Sequence, residues 1–403
     1  WWTSWKQQIK ALGSEAAYQK TLADLKNRPL FQNEVNQATG EVTKSWAQRA
    51  GVKLMDVGTD LTKREESIAS NWAETGEMFG KNNPAQRGYK STLGRANRAT
   101  NRAYTAYLNQ LRADTFESLL RDASADFKAG TKGARDPMTD LPFAREIADY
   151  VNTATGRGPL RIARPTFEGG RLGLKESNFE QNAKLLTDTI FSPRLMASRM
   201  RMLNPATYMM ASPFVRKQYL KSAISVAGIW YTMSGLASMA GADVSTDLNS
   251  TDFGKIKIGN MRLDPAGGFQ QYIVGLSRLI SGHETSSATQ KDFELGQGYR
   301  PDTRWGVSER VVANKLHPIV KFGYDMLNAS EHQPFSVADR TAQLFVPLIV
   351  GDVIDLAKED PNLLPAIAPI IAGMGSQVYD KGQTQSKFVS PNLDYTFKGG
   401  SWY

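Results

Sequence analysis

The chain has 403 residues, 41% of them hydrophobic and 22% charged, which is enough apolar content for two or three folded units or one extended helical subunit. Cysteine is absent, which excludes disulfides, thiolate zinc sites and thiol nucleophiles together. The net charge is +9 and its distribution is uneven: Met78 to Ala113 holds seven Lys/Arg and no acid, and Thr189 to Ala242 holds six and no acid.

The first quarter reads as helices with polar faces. Ser14 is placed to cap a helix carrying Tyr18, Leu22 and Leu25 on one stripe, closed by Pro29. Glycines at 40, 51, 58 and 76 break the next stretch into short helices on a loop-rich arm, with Trp46 and Trp72 as exposed anchors for a neighbour. A start at Trp1, without Met, suggests a processed product or part of a longer polypeptide, and no secretory signal pattern follows it. Residues 1–80 form this arm, and 81–155 form a basic long-helix region. There Tyr104, Tyr107, Leu108, Leu111, Phe116, Leu119, Leu120 and Ala123 recur at helical spacing, and Gly130 ends the run.

Arg95, Arg98 and Arg102 line one side of that helix near its start, where the macrodipole favours negative charge, so a partner for them is expected. With Arg199, Arg201, Arg216 and Lys217 they form the set expected to contact a polyanion, the alternative being solvated faces or faces meeting acidic subunits. Residues 156–190 read as a Gly/Pro/Arg-rich connector, mostly loop, after a short helix near 142–153.

A C-terminal helical domain is expected over 191–380, followed by a tail over 381–403. Ser222 to Ala242 is uncharged but rich in Ser, Thr and Gly, which favours a buried or oligomer-contact helix over a membrane span. The prolines at 361, 365 and 369 make the run 361–379 a kinked, buried terminal element. Period-two alternation in "KIKIGNMRLD" predicts one β-hairpin at about 255–264, turning at Gly259-Asn260. Asp264 then caps a helix with Pro265 in its first position, its apolar face made of Phe269, Tyr272, Ile273, Leu276, Leu279 and Ile280. Gly267 and Gly268 complete this structural hinge.

Candidate chemistry is sparse. His283, His317 and His332 stand apart, no phosphate-loop or nucleophile-elbow motif occurs, and no cofactor is implied. "KESNFEQNAKL" resembles the stretch around the general acid of lytic transglycosylases, with Glu176 in that place, but the Gly-Leu-Met-Gln segment that should follow is missing.

A run of segments in order carries a broader resemblance: "AYLNQLRADTFESLL", "VNTATGRG", "FSPRLMASRMRMLNP", "SPFVRKQYLKS", "AGADVSTDLNSTDFGKIKIGNMRLDPAGGFQQYIVGLSRLISG", "LGQGYRPDTR" and "FVPLIVGDVIDLAKEDPNLLP". Together, over roughly 99–379, they resemble the large polyvalent protein-associated domain of giant bacteriophage proteins. "RWGVSERVVANKLHP" departs from that pattern in being less apolar. The resemblance implies no catalytic residue. It implies an elongated, mainly helical internal virion protein of a short-tailed phage that assists DNA ejection. Its expected partners are copies of itself, portal or core proteins, and genomic DNA, with membrane contact through 222–242 a further expectation. It would sit inside the capsid and reach the host envelope or cytoplasm after ejection. Two alternatives stand beside it: a DNA-binding antirestriction cargo, and a peptidoglycan-cleaving subunit using Glu176.

Overall fold

The structure, a computed structural model, describes residues 2–35, 42–55, 83–91, 93–168, 171–190, 192–258, 261–286, 289–297, 303–304, 306–307 and 376–378. The fold is mainly helical, with small antiparallel sheets. The chain divides into two compact units, 1–225 and 226–403.

In the first unit, helix α1 (Trp2–Gly13) and α2 (Glu15–Lys26) form an antiparallel-type pair hinged at Ser14. The Ser14 hydroxyl accepts from the Ala17 amide at 3.3 Å, and Tyr18, Leu22 and Leu25 are buried as their spacing requires. Strands β1 (Glu34–Val35) and β2 (Val42–Thr43) pair before the one-and-a-half-turn helix α3 (Trp46–Ala50). Trp46 is half-buried against the unit's own core with the Arg49 guanidinium 4.8 Å over its ring, so it is not the exposed anchor the sequence suggested. Trp72 lies outside the described residues.

Helix α4 (Pro84–Ser91) precedes the long α5 (Leu93–Lys128). A Schellman-type end stops α5: Gly130 takes φ +71°, its amide reaches Phe127 O, and the Thr131 amide reaches Asp126 O. Helix α6 (Leu141–Ala154) is capped by Asp140, whose carboxylate accepts from Phe143 N at 3.1 Å. Phe116, Leu119 and Leu120 of α5 meet Phe143, Ile147 and Val151 of α6 in one core.

The hydrophobic stripe of α5 is incomplete, and polar side chains fill the gap. Thr105, Asn109, Gln110 and Arg112 are all buried, whereas Tyr104 is exposed. Asn109 clamps the Met55 backbone, accepting from its N–H at 2.8 Å and donating to its carbonyl. Asn152 of α6 does the same for Lys53 N and Gly51 O, at 3.1 and 2.9 Å. Arg112 donates to Lys53 O, Thr155 O and Thr155 Oγ1. Segment 51–55 thus has its backbone groups paired by side chains, and none of the described strands pairs with it.

The connector is not the loop expected from its composition. Strands β3 (Arg161–Glu168) and β4 (Arg171–Asn178) pair residue for residue from Arg161↔Asn178 to Glu168↔Arg171. The expectation of a single hairpin in the chain is corrected by this ladder. Pro165 and the glycines hid it by weakening the strand signal, although Leu172 and Leu174 alternate with Arg171, Gly173 and Lys175 in "RLGLK". A 3₁₀ turn at Glu180–Asn182 leads to α7 (Ala183–Thr189), α8 (Pro193–Leu203) and α9 (Pro205–Met210), and then α10 (Pro213–Met239) begins.

In the second unit, β5 (Asp243–Val244), β6 (Ile256–Ile258), β7 (Met261–Leu263) and β10 (Ser376–Val378) form one antiparallel sheet in the order β10-β7-β6-β5. The predicted hairpin is there, in register Ile258↔Met261, with Gly259 and Asn260 outside the described residues. A lone two-stranded hairpin is marginal, and the added strands on both edges remove that problem. Of the run 361–379, the described residues 376–378 are this edge strand; the rest lies outside the described residues.

Lys257 and Arg262 face each other across the ladder, an unfavourable like-charge pair. Asp252, 1% exposed, lies between them, with carboxylate oxygens 3.2 Å from Lys257 Nζ and 2.9 Å from Arg262 Nε. The approach is close but off the hydrogen-bond line, so the pairing is Coulombic rather than directed.

The helix after the hairpin starts later than expected. Helix α11 spans Gln270–Ser281, and Asp264 caps a turn instead, accepting from Ala266 N at 2.9 Å and Gly268 N at 2.8 Å. Gly267 and Gly268 take φ +60° and +80°, a left-handed pair that no α-helix can include. The buried face of α11 also differs from the expected one: Gln270, Val274, Gly275 and Arg278 point inward, while Leu276 and Ile280 are exposed. Strands β8 (His283–Thr285) and β9 (Asp292–Glu294) follow α11 as a short hairpin.

Two substitutions test this account by urea unfolding. Arg112→Met keeps the stem but strands two backbone carbonyls, and is expected to cost about 3 kcal/mol. Gly254→Ala should cost about 2 kcal/mol, because φ there is +67° and a Cβ would meet the Trp230 ring at 2.6 Å.

Candidate functional site

Charged side chains converge in the first unit where α6, the β3–β4 hairpin and α8 meet. The mechanism of convergence is local. Pro193 opens α8, so Arg194, Ser198 and Arg201 share the face turned to the hairpin. Ser198 Oγ accepts from Gly158 N at 2.7 Å and donates to Arg194 O. Asn204 donates to Ala163 O at 2.7 Å.

Arg201 is nearly buried and donates through Nη1 to Glu176 Oε1 at 2.8 Å and Arg161 O at 3.0 Å. Arg161 lies 3.7 Å from Asp149 and 4.0 Å from Glu176. Arg194 grips Glu180 with both terminal nitrogens, at 3.0 and 2.8 Å, and the Leu160 amide adds a third bond at 2.9 Å. Burial pushes the Asp149 carboxyl up, against the pull of Arg161 and Arg201. Burial would also raise Glu180, but the Arg194 and Leu160 hydrogen bonds outweigh it and hold that carboxyl at about 2. Burial pushes the neighbouring Tyr219 phenol up as well.

Chemically, this is a clasp of alternating sign. Glu176 is held by the Arg201 guanidinium with Arg161 close by, an ion-paired setting and not the apolar cleft of a glycosidase acid. The geometry therefore gives no support to a peptidoglycan-cleaving role for it.

The polyanion set is dispersed in its contacts. Arg102 pairs with Glu15 at 3.1 Å and donates to Ala11 O, Arg98 donates to Lys90 O, and Arg201 is in the clasp. Arg216 caps the end of α9, donating to the Tyr208, Met209 and Ala211 carbonyls. Arg199 is half-buried, and Arg95 and Lys217 are exposed. Among the described residues, no group of three or more His, Asp or Glu is placed to hold a metal ion. His283 Nδ1 lies 2.7 Å from Asp292 on the exposed β8–β9 hairpin.

Of the two expectations for 222–242, a buried helix or an oligomer-contact helix, the structure removes the first. Residues 222–242 are not a buried helix. On α10, Leu220 and Ile224 are exposed in the first unit, and Ile229, Tyr231, Leu236 and Met239 are exposed in the second, Tyr231 at 79% and Met239 at 86%. Gly228 and Gly235 have open space where a Cβ would stand. No described helix is long and apolar enough to cross a membrane. Leu276 and Ile280 of α11 add a second outward apolar pair. Uncovered apolar side chains at this density mark contact surfaces.

Comparison with protein-family models, with curated proteins and with solved structures finds no match.

Acid titration reads the clasp directly. A carboxyl depressed by folding contributes stability above its ordinary value of 4.5 and loses it as pH falls toward 2. Wild type should therefore lose stability steeply over that window, and Glu180→Gln should show a flatter profile with a lower plateau at neutral pH.

Proposed function

We propose that this chain is a non-enzymatic structural subunit of a bacteriophage particle, an internal virion protein that assembles with copies of itself near the portal and assists DNA ejection. The resemblance of the segments between 99 and 379 to the large polyvalent protein-associated domain gives the biological setting. The exposed apolar residues of α10 carry the structural side of the argument. A stretch of 21 residues without a charge, bearing uncovered Ile, Leu, Tyr and Met and gaps over two glycines, suits close contact with another helix.

On this reading the subunit resides within the capsid beside portal or core proteins, and passes to the host envelope or cytoplasm with the genome. The rival reading as a DNA-binding cargo draws less support. Arg102, Arg201 and Arg216 are occupied by the chain's own carboxylates and carbonyls, so they add little to a surface for phosphates.

Light scattering after size exclusion decides the matter. The expected mass is a multiple of 44.5 kDa, and Tyr231→Asp with Met239→Asp should return it to one. A wild-type chain that stays monomeric at high concentration would count against the proposal, as would duplex DNA binding of nanomolar strength that weakens steeply with salt.

A further inference from the structure

Helix α1 is turned inside out for a surface helix. Its buried side chains are Ser4 and Ala11, and Gln7 accepts from Thr21 Oγ1 of α2 at 3.0 Å. These small and polar groups let α1 lie close along α5, whose Ala106 shares a core with Ala11, Tyr18 and Leu22. The large apolar residues Trp2, Trp5, Ile9 and Leu12 fall on the other side, spaced three, four and three apart, so they form one stripe. All four are exposed, Trp2 at 58% and Leu12 at 51%. The Trp2 and Trp5 rings stack at 5.1 Å, and Lys6 Nζ stands 5.2 Å over the Trp2 ring.

We infer that this stripe is a docking surface for an anionic phospholipid bilayer, with α1 lying in the plane of the headgroups. Charge decides the occupant. Helix α1 holds Lys6 and Lys10, both exposed, and no acid. The nearby carboxylate at Glu15 is engaged by Arg102. A second copy laid against the stripe would bring lysines beside lysines with no acid of α1 to offset them. A bilayer with acidic headgroups supplies the missing negative charge and takes the apolar stripe at once. Indole rings suit that boundary, apolar on the face and polar at the N–H. Length sets the mode of contact: 12 residues make about 18 Å of helix, well short of the ~30 Å hydrocarbon core, so α1 lies on the membrane and does not span it.

This inference does not rest on the assembly proposed above, and its test needs no oligomer. The full chain is sedimented with vesicles of phosphatidylcholine alone, or of phosphatidylcholine with an equal amount of phosphatidylglycerol. Co-sedimentation with the anionic vesicles is expected, weakened by salt and slight on the neutral ones. Trp2→Ser with Trp5→Ser changes only exposed positions, so circular dichroism should be unchanged while vesicle binding falls at least tenfold. Lys6→Glu with Lys10→Glu should remove the preference for phosphatidylglycerol. The inference is overturned if wild type stays in the supernatant, if it binds both vesicles equally, or if the double serine variant still sediments. It is also overturned if that variant loses oligomer mass in lipid-free buffer, which would make the stripe a protein interface.

Discussion

The first unit depends on how a short non-helical piece of backbone, residues 51–55, is held against two helices. Peptide groups in such a place cost about 1–3 kcal/mol each when unpaired. None of the described strands pairs them, and Asn109, Arg112 and Asn152 supply donors and acceptors from the helices themselves. Each amide is a two-way clamp, one donor and one acceptor, which matches the N–H and C=O groups of the backbone it faces. Once those side chains are committed inward, the rotation of α5 and α6 about their axes is fixed. The apolar core of Phe116, Ile147 and Val151 then packs where that rotation leaves it.

The second unit follows the same rule with charge in place of amides. Helix α11 could bury Leu276 and Ile280 by turning about its axis, a gain of about 3–5 kcal/mol from apolar area. It does not turn, because Arg278 donates to Asn249 O at 2.8 Å and pairs with Glu284 at 2.9 Å, and Gln270 donates to Thr251 O. Bonds to a charged group are worth about 1.5–3 kcal/mol each, and breaking them would strand a buried guanidinium as well. The polar contacts win, and the apolar residues are left facing out. Asp252 plays a similar part in the sheet, allowing Lys257 to stand opposite Arg262.

This explains which parts of the structure could be read from the sequence. The Ser14 cap with its Tyr18, Leu22, Leu25 stripe, the Gly130 stop and the 256–263 hairpin were legible because their causes lie within a few residues. The buried faces of α5 and α11 were less so, since periodicity counts Tyr104, Leu276 and Ile280 as inward and cannot weigh Asn109 or Arg278 against them. The β3–β4 ladder hid behind proline and glycine, and its partner contacts come from Arg201 and Asn204, which lie 25 to 41 residues further on. Basic windows raised a similar difficulty: a count of arginines does not show that Arg102 and Arg216 are spent on a carboxylate and on helix-end carbonyls.

An apolar residue left outside by polar commitments is different from one exposed by chance. Scattered surface leucines are ordinary in monomers. The outward residues of α1, α10 and α11 lie on helices that are each fixed by bonds on an opposite or adjacent face: Gln7 to Thr21, Trp230 Nε1 to Gly254 O, Arg278 to Asn249. A helix held in that way cannot roll to hide its apolar side when it is alone in water. The stripe is therefore preorganised, and a partner that covers it meets no cost of reorienting the helix. What distinguishes the stripes is their charge: α1 brings lysines and no acid, whereas 222–242 brings no charge at all. That difference is why the proposals above assign the first stripe to an acidic surface and the second to a face as neutral and as closely packed as itself.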